Sequence, residues 1–218
     1  MPPPAPAHTP HTGPHPAART ATAASGPAPR SGARVLVTGA AGFVASHLLP
    51  RLLNAGHAVS GMVRYARRAS EASKRRMAAL DTLEAAHKDR FQVIQCDDAL
   101  AMPAAVARAR PEICIHLAGR SWVRESVGWP ELYEEANYRT TVGRLDALHH
   151  AGCRRVVFAS SSMVYGTDAP PPCVEDQLGT APASPYGASK LACEALLNTY
   201  HGLYKMETAN LRLFSVYG

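Results

Sequence analysis

The chain has 218 residues, 46% of them hydrophobic and 18% charged, with a formal net charge of +6. That length supports one good hydrophobic core, and the mixture is that of a soluble globular protein. The positive excess does not make a nucleic-acid binder: outside 64–76 the basic residues are scattered, with no aromatic-rich RNA signature, and no apolar stretch reaches the length of a membrane span.

Residues 1–31 are dominated by Pro, Ala, His and Thr, contain no acid and show no apolar periodicity, which predicts a disordered arm. Its Arg, Ser and Thr content resembles an organelle transit peptide, although the prolines oppose an amphipathic helix and there is no apolar segment of a secretory signal. From residue 32 the pattern is that of a folded domain, 32–218. It opens with Ala33-Arg-Val-Leu-Val-Thr38, a buried strand, then Gly39-Ala-Ala-Gly42, then a helical apolar repeat over 43–53. Strand, glycine turn and helix in succession form a dinucleotide fingerprint of the form G-x-x-G-x-x-A, with Ala45 in the third glycine's place. Glycines let the backbone approach a pyrophosphate, whose charge then rests on the helix N-terminus.

A second strand, 58–63, ends at Val63-Arg64. An acid there would bind the adenosine ribose hydroxyls; an arginine suits a 2′-phosphate, which tilts the cofactor from NAD toward NADP. The bland reading is that Arg64, Arg67 and Arg68 are a solvated loop. Further on, 71–87 is helical, 91–96 is a strand ending in Asp97-Asp98, 102–108 is a short helix and 111–118 a fourth strand. A long helix is predicted over 130–150, a fifth strand over 154–160, a helix to about 204 and a sixth strand over 208–214. Strands alternating with helices imply a doubly wound, Rossmann-type parallel sheet, and right-handed crossovers give the order 3-2-1-4-5-6. Ligands of such sheets lie beyond the carboxyl ends of the strands, where Gly39 to Phe43, Asp97, Ala118-Gly119 and Ser160 to Ser162 converge.

The last of those helices begins at Ser184-Pro-Tyr-Gly-Ala-Ser-Lys190, which puts Tyr186 and Lys190 on one face. A nearby cation favours phenolate over phenol, but moving a tyrosine from about 10 to about 7 takes roughly 4 kcal/mol. One lysine at an exposed site does not supply that, so a second positive charge is wanted, and an oxidised nicotinamide would be one. Five cysteines, odd in number and widely spaced without a C-x-x-C pair, suit reduced buried thiols in a reducing, cytoplasmic setting. None of the ten histidines has metal-ligand spacing, so no metal site is predicted. The 166–183 loop, with Pro170-Pro-Pro172, is a lid over the site or a connector.

Several pieces together resemble the extended short-chain dehydrogenase/reductases, in their NAD-dependent epimerase/dehydratase branch. They are Thr38-Gly-Ala-Ala-Gly-Phe-Val-Ala-Ser-His47, His116-Leu-Ala-Gly119, Ala159-Ser-Ser-Ser-Met-Val-Tyr-Gly166, the Tyr186–Lys190 motif and Leu211-Arg-Leu-Phe-Ser-Val-Tyr-Gly218. Within the branch, Ser121-Trp-Val-Arg-Glu-Ser126, Asn137 and the final Phe-Ser-Val-Tyr-Gly are most similar to the UDP-glucuronate 4-epimerases. The resemblance implies that Ser161 is the catalytic Ser/Thr, Tyr186 the general base, and Lys190 the residue that holds the nicotinamide ribose and assists the tyrosine. It implies that Gly39, Gly42, Phe43 and Val44 form the pyrophosphate turn, that Asp97 lies near the adenine, and that Leu117, Ala118 and Gly119 line the cofactor. Arg124, Ser126 and Ser162 fall where substrate is bound, Arg124 suiting a carboxylate or diphosphate. Dehydratases of the branch carry Asp-Glu after the catalytic Ser/Thr; Ser162-Met163 in those places argues against dehydration.

The function expected on these grounds is a nucleotide-sugar 4-epimerase working through a transient 4-keto intermediate, on UDP-glucuronate or a related UDP-sugar. An NADPH-dependent ketone reductase, favoured by Arg64, and a non-catalytic cofactor-binding module are the alternatives. The resemblance also implies a homodimer built from two helices of each subunit. Family members continue beyond the point where this chain stops, into the segment that closes over the nucleotide-sugar. The expectation is therefore a fragment or a truncated product with that substrate-binding part largely absent.

Overall fold

The computed structural model describes residues 32–64, 71–177 and 181–217. The 1–31 arm, Arg67 and Arg68 lie outside the described residues. Six strands, β1 (Arg34–Thr38), β2 (Ala58–Val63), β3 (Phe91–Gln95), β4 (Ile113–His116), β5 (Arg155–Ser161) and β6 (Glu207–Leu213), form one sheet. Every pairing is parallel and the order is β3-β2-β1-β4-β5-β6, the doubly wound arrangement expected from the alternating pattern.

The inner strands β2, β1, β4 and β5 are short and largely apolar because both of their faces are covered, whereas the edge strand β6 is partly exposed along its length. In β1, Val35 and Val37 point into one core with Leu49, Leu53, Val59 and Phe91, while Leu36 points into the other with Cys114, Val156, Leu145 and Leu197. The first core is roofed by α1 (Phe43–Asn54) and α2 (Glu71–Ala86); the second by α3 (Met102–Ala109), α6 (Thr140–His150) and α7 (Pro185–Tyr204). This is the alternation of strand side chains turned into two layers of helix.

The long helix predicted over 130–150 is present but not uniform. It begins as α5 (Pro130–Tyr133), widens into a π-helical stretch (Glu134–Arg139), and returns to α6. The wide turn carries Asn137, buried at 2% exposure, toward the ends of the strands. Such π-helical turns often sit at functional sites. A six-residue helix, α4 (Val123–Gly128), was not predicted; it lies in the stretch that had read as a substrate loop. Strand β5 runs one residue further than expected and carries Ser161 on its last position, before a 3₁₀ turn over Ser162–Tyr165. All five cysteines are free thiols, four of them buried. Among the described residues no helix is long and apolar enough to cross a membrane, and no group of His, Cys, Asp and Glu is placed to hold a metal ion.

Candidate active site

The turn after β1 needs its first glycine. Gly39 has φ +69°, and a Cβ there would lie 2.9 Å from the Cα and N of Ala118, on the neighbouring strand's exit. Gly39 then accepts the Gly42 N–H at 2.8 Å, closing the turn, and Gly42 leads into α1 with no side chain capping the helix. The first turn of α1 holds no acid, so its N–H groups face the cleft uncompensated.

Across the cleft, Ser184 caps α7 by accepting the Gly187 N–H at 3.1 Å, and Pro185 starts the helix. This fixes Tyr186 in the first turn and Lys190 one turn on. Tyr186 is 7% exposed, with its ring edge-on to Tyr133 at 6.3 Å. The Lys190 ammonium donates to the Ala159 carbonyl at 2.8 Å, lies 4.7 Å from the Phe158 ring centroid and 5.9 Å from that of Tyr186. Burial pulls the Lys190 pKa from 10.5 down to about 8. Ser161 Oγ accepts the Met163 N–H at 3.2 Å, which orients the hydroxyl at the end of β5.

Behind these residues runs a relay of buried hydroxyls. Thr141 donates to the Asn137 carbonyl at 2.5 Å, so its oxygen takes the proton of His116 Nε2 at 2.9 Å. That leaves His116 Nδ1 to accept from Thr38 at 2.6 Å, and Thr38 in turn accepts the Ala118 N–H at 3.2 Å. The network thus assigns the neutral Nε2–H tautomer. Its far end, Asn137, donates to Ser189 at 3.0 Å and to the Arg120 carbonyl at 3.1 Å, and accepts the Arg120 N–H at 2.7 Å. Asn137 therefore ties the loop after β4 to the helix that carries Tyr186. A Cβ on Gly119 would lie 2.9 Å from Asn137 Oδ1 and 3.5 Å from Lys190 Nζ, so only glycine passes between them.

The result is a cleft of about 710 Å³ lined by Gly39, Gly42, Phe43, Val44, Leu117, Gly119, Ser161, Ser162, Tyr186 and Lys190. Three other expected residues lie alongside it: Arg64 and Ala118 line an adjoining cavity of about 180 Å³, and Asp97 lines a third of about 500 Å³. Two expected substrate residues do not reach the cleft. Arg124 is exposed on α4, and the Ser126 hydroxyl, fully buried, donates to the Val123 carbonyl at 2.6 Å. Tyr133 was missed. It is fully buried, donates to the Trp122 carbonyl at 2.8 Å and bonds to Glu125 at 2.5 Å. Arg120, which pairs with Glu125 at 3.1 Å, was missed as well and lines the cleft. A lone Tyr at the start of a helix or a lone Arg in a loop gives no sequence signal of this.

The gap that the glycines leave fits a dinucleotide: a turn too tight for side chains, an uncapped helix end, and a buried ammonium opposite. The protein-family model described as GDP-mannose 4,6 dehydratase matches residues 36–218. The chain belongs to this family. Within this family it is 38% identical over 187 residues to a UDP-glucose 4-epimerase of Mycolicibacterium smegmatis, covering 85% of this chain and 56% of that one. To a probable UDP-glucuronate 4-epimerase of Rhizobium meliloti it is 31% identical, over 85% of this chain and 54% of the other. The structure of the Bacillus cereus UDP-glucuronic acid 4-epimerase, in complex with UDP-glucuronic acid and NAD, superposes with a TM-score of 0.71 at 32% identity, over 84% of this chain and 57% of that one. The chain thus spans about half the length of the relatives it matches. The family, the epimerase/dehydratase branch and the strand order are those expected from the motifs.

Proposed function

We propose that this chain carries the cofactor-binding and catalytic half of a nucleotide-sugar 4-epimerase, acting on UDP-glucuronate or a related UDP-sugar with NAD or NADP. The observation that carries the reading is the single cleft in which Ser161, Tyr186 and Lys190 meet the Gly39–Gly42 turn. Relatives described as UDP-glucose and UDP-glucuronate 4-epimerases support the substrate class. Although the family model bears a dehydratase's name, Ser162 and Met163 offer neither the acid nor the base that elimination of water requires.

A bound nicotinamide dinucleotide supplies the hydride acceptor and, on the return, the donor. Tyr186 oxygen takes the proton of the sugar 4-hydroxyl and later gives it back to the opposite epimer. Ser161 hydroxyl holds the 4-oxygen in both passes. Lys190, short of solvent, sets a positive charge beside the phenol and a donor toward the nicotinamide ribose. Tyr133 and Asn137 keep the Tyr186 ring and the Lys190 helix turn in place. Without proton removal the departing hydride would leave a protonated ketone, so the base must act with the acceptor. Pairing of two copies through α6 and α7 belongs to the same reading, supported by the exposed Val142, Leu203 and Tyr204 on those helices; sedimentation tests it.

The test is NMR detection of 4-epimer from UDP-glucuronate or UDP-glucose with catalytic NAD(P). Tyr186→Phe should lower turnover by about 10²–10⁴-fold with dinucleotide binding intact. Stoichiometric loss of reduced-nicotinamide absorbance on a ketone would point to the reductase that Arg64 favours. Binding without turnover, unaffected by Tyr186→Phe, would leave a cofactor-binding module.

A further inference from the structure

Arg144 is out of place by the usual rules of burial. It lies on the inward side of α6, 5% exposed, among core residues such as Leu145 and Leu148. Its Nη1 donates to Thr140 at 3.0 Å, but its buried Nε has no partner. Among the described residues no ion pair joins it. Arginines are almost never buried in this way unless a counter-charge meets them.

The surroundings say where that counter-charge would come from. Arg144 lines the 180 Å³ cavity together with Arg64 at the end of β2, the Gly39–Gly42 turn and the exit of β4. No carboxylate lines that cavity. Arg64 and Arg144 also line the larger cavity of about 500 Å³, whose acids Asp97, Asp98 and Glu135 form no ion pair with Arg144 and are engaged with other groups. Asp98 accepts the Ala101 N–H at 2.7 Å, Asp97 accepts from Gln95 at 2.6 Å, and Glu135 pairs with Arg139 at 3.4 Å. The two thiols that face Arg144, Cys96 and Cys114, are held protonated by burial. Burial, with the charge of Arg64, pulls the Arg144 guanidinium below its ordinary range. An anion between the two arginines would reverse both effects.

A dinucleotide seated on the turn places its adenosine ribose at the end of β2. We propose that Arg64 and Arg144 form a two-pronged seat for a phosphate on the 2′-oxygen of that ribose, so that the chain takes NADP in preference to NAD. This rests on the dinucleotide reading above. Guanidinium groups bind phosphate through paired, charge-assisted hydrogen bonds, and Arg144 has an unused N–H for one of them. The partner from α6 adds a second prong to the familiar arginine after β2. The Bacillus cereus neighbour is in complex with NAD, so cofactor choice would separate the two proteins.

The test is calorimetric titration of the full chain with NADP⁺ and with NAD⁺, for wild type, Arg64→Ala, Arg144→Leu and Arg144→Lys. The expected result is wild-type binding of NADP⁺ at least about tenfold tighter than of NAD⁺, with the preference weakening as salt rises. Arg144→Leu should lose about tenfold or more in NADP⁺ affinity, leave NAD⁺ affinity unchanged, and melt no earlier than wild type. Arg144→Lys should lose part of the preference. Equal wild-type affinities, or Arg144→Leu weakening both dinucleotides alike, would overturn the proposal while leaving the dinucleotide site standing. Failure of wild type to bind either one would overturn both. Should Arg144→Leu not fold, the wild-type ratio and the Arg144→Lys and Arg64→Ala titrations decide.

Discussion

Arg212 donates to both carboxylate oxygens of Glu194, with Nη2 2.9 Å from Oε2 and Nε 3.1 Å from Oε1. The pair is nearly dry, its side chains 12% and 5% exposed. Glu194 also accepts the hydroxyl of Ser160, the neighbour of Ser161, while Arg212 Nη1 donates to the carbonyls of Glu175 and Gln177 at 3.1 and 2.8 Å. One ion pair therefore joins the end of β5, the helix of Tyr186 and Lys190, the edge strand β6 and the loop after the 3₁₀ turn. Breaking one partner of a buried pair costs about 3–5 kcal/mol, whereas removing both can be nearly neutral. Glu194→Gln and Arg212→Met should each unfold at markedly lower denaturant, and the double variant should recover much of the loss. Urea titrations of the four proteins check this; strictly additive losses would mean the two side chains act independently.

Lys190 makes a pH signature. Its pKa falls from 10.5 to about 8 through burial. Between those values the unfolded chain keeps a proton that the folded chain has released, so stability rises with pH across that window. The whole rise is worth about 3 kcal/mol; below pH about 8 both states are protonated and the cost of the buried charge is constant. In Lys190→Met this rise should vanish, and the variant should be at least as stable as wild type at pH 7. Denaturant midpoints at pH 7, 8, 9 and 10 measure the difference, and making the comparison in a Cys193→Ala background removes the one thiol whose titration is coupled to Lys190.

The fold was legible because short, mostly apolar runs alternate with runs of helical period, and only one winding suits that alternation. The Tyr186–Lys190 spacing was legible for the same reason, being one turn of a helix with its own cap at Ser184. What escaped is what periodicity cannot see. Arg144 occupies an inward position of α6 where a charged residue, read by composition, belongs to a solvated face. Tyr133 escaped in the same way, and the position of Asn137, named from the resemblance alone, depends on a π-helical stretch that no period reveals. Arg124 and Ser126 were expected at the substrate from the resemblance; the six-residue α4, too short to leave a period, exposes the first and bonds the hydroxyl of the second to the Val123 carbonyl.

Gly39 is the least replaceable residue of the turn. A Cβ there meets backbone atoms of Ala118 at 2.9 Å, and a φ of +69° is strained for any other residue. Flexible side chains can retreat from such a contact, but two neighbouring strands of one sheet cannot. Gly39→Ala should cost more than about 1 kcal/mol and weaken dinucleotide binding further, since the displaced strand end is the wall of the cleft. Gly143→Ala, on α6 with open space around its Cβ position, is the matched control and should be neutral or stabilising. Thermal melts with and without NAD(P) separate the two effects.

His116 governs the acid side. It is fully enclosed, and its pKa is held well below 6.5, first by burial and then by the charges of Arg144 and Lys190. The unfolded chain takes up a proton below pH 6.5 that the folded chain refuses, so stability falls as pH drops from there by about 1.4 kcal/mol per unit. The hydroxyl relay adds to this, because protonating Nδ1 would set two donors, His116 and Thr38, against each other. His116→Gln should lower stability at pH 7, since the relay to Asn137 is broken, but flatten its dependence between pH 6.5 and 5. Measuring unfolding free energies of both proteins across that range gives the two slopes. Parallel slopes would show that His116 takes its proton in the folded chain, and the neutral relay behind Asn137 would then be wrong.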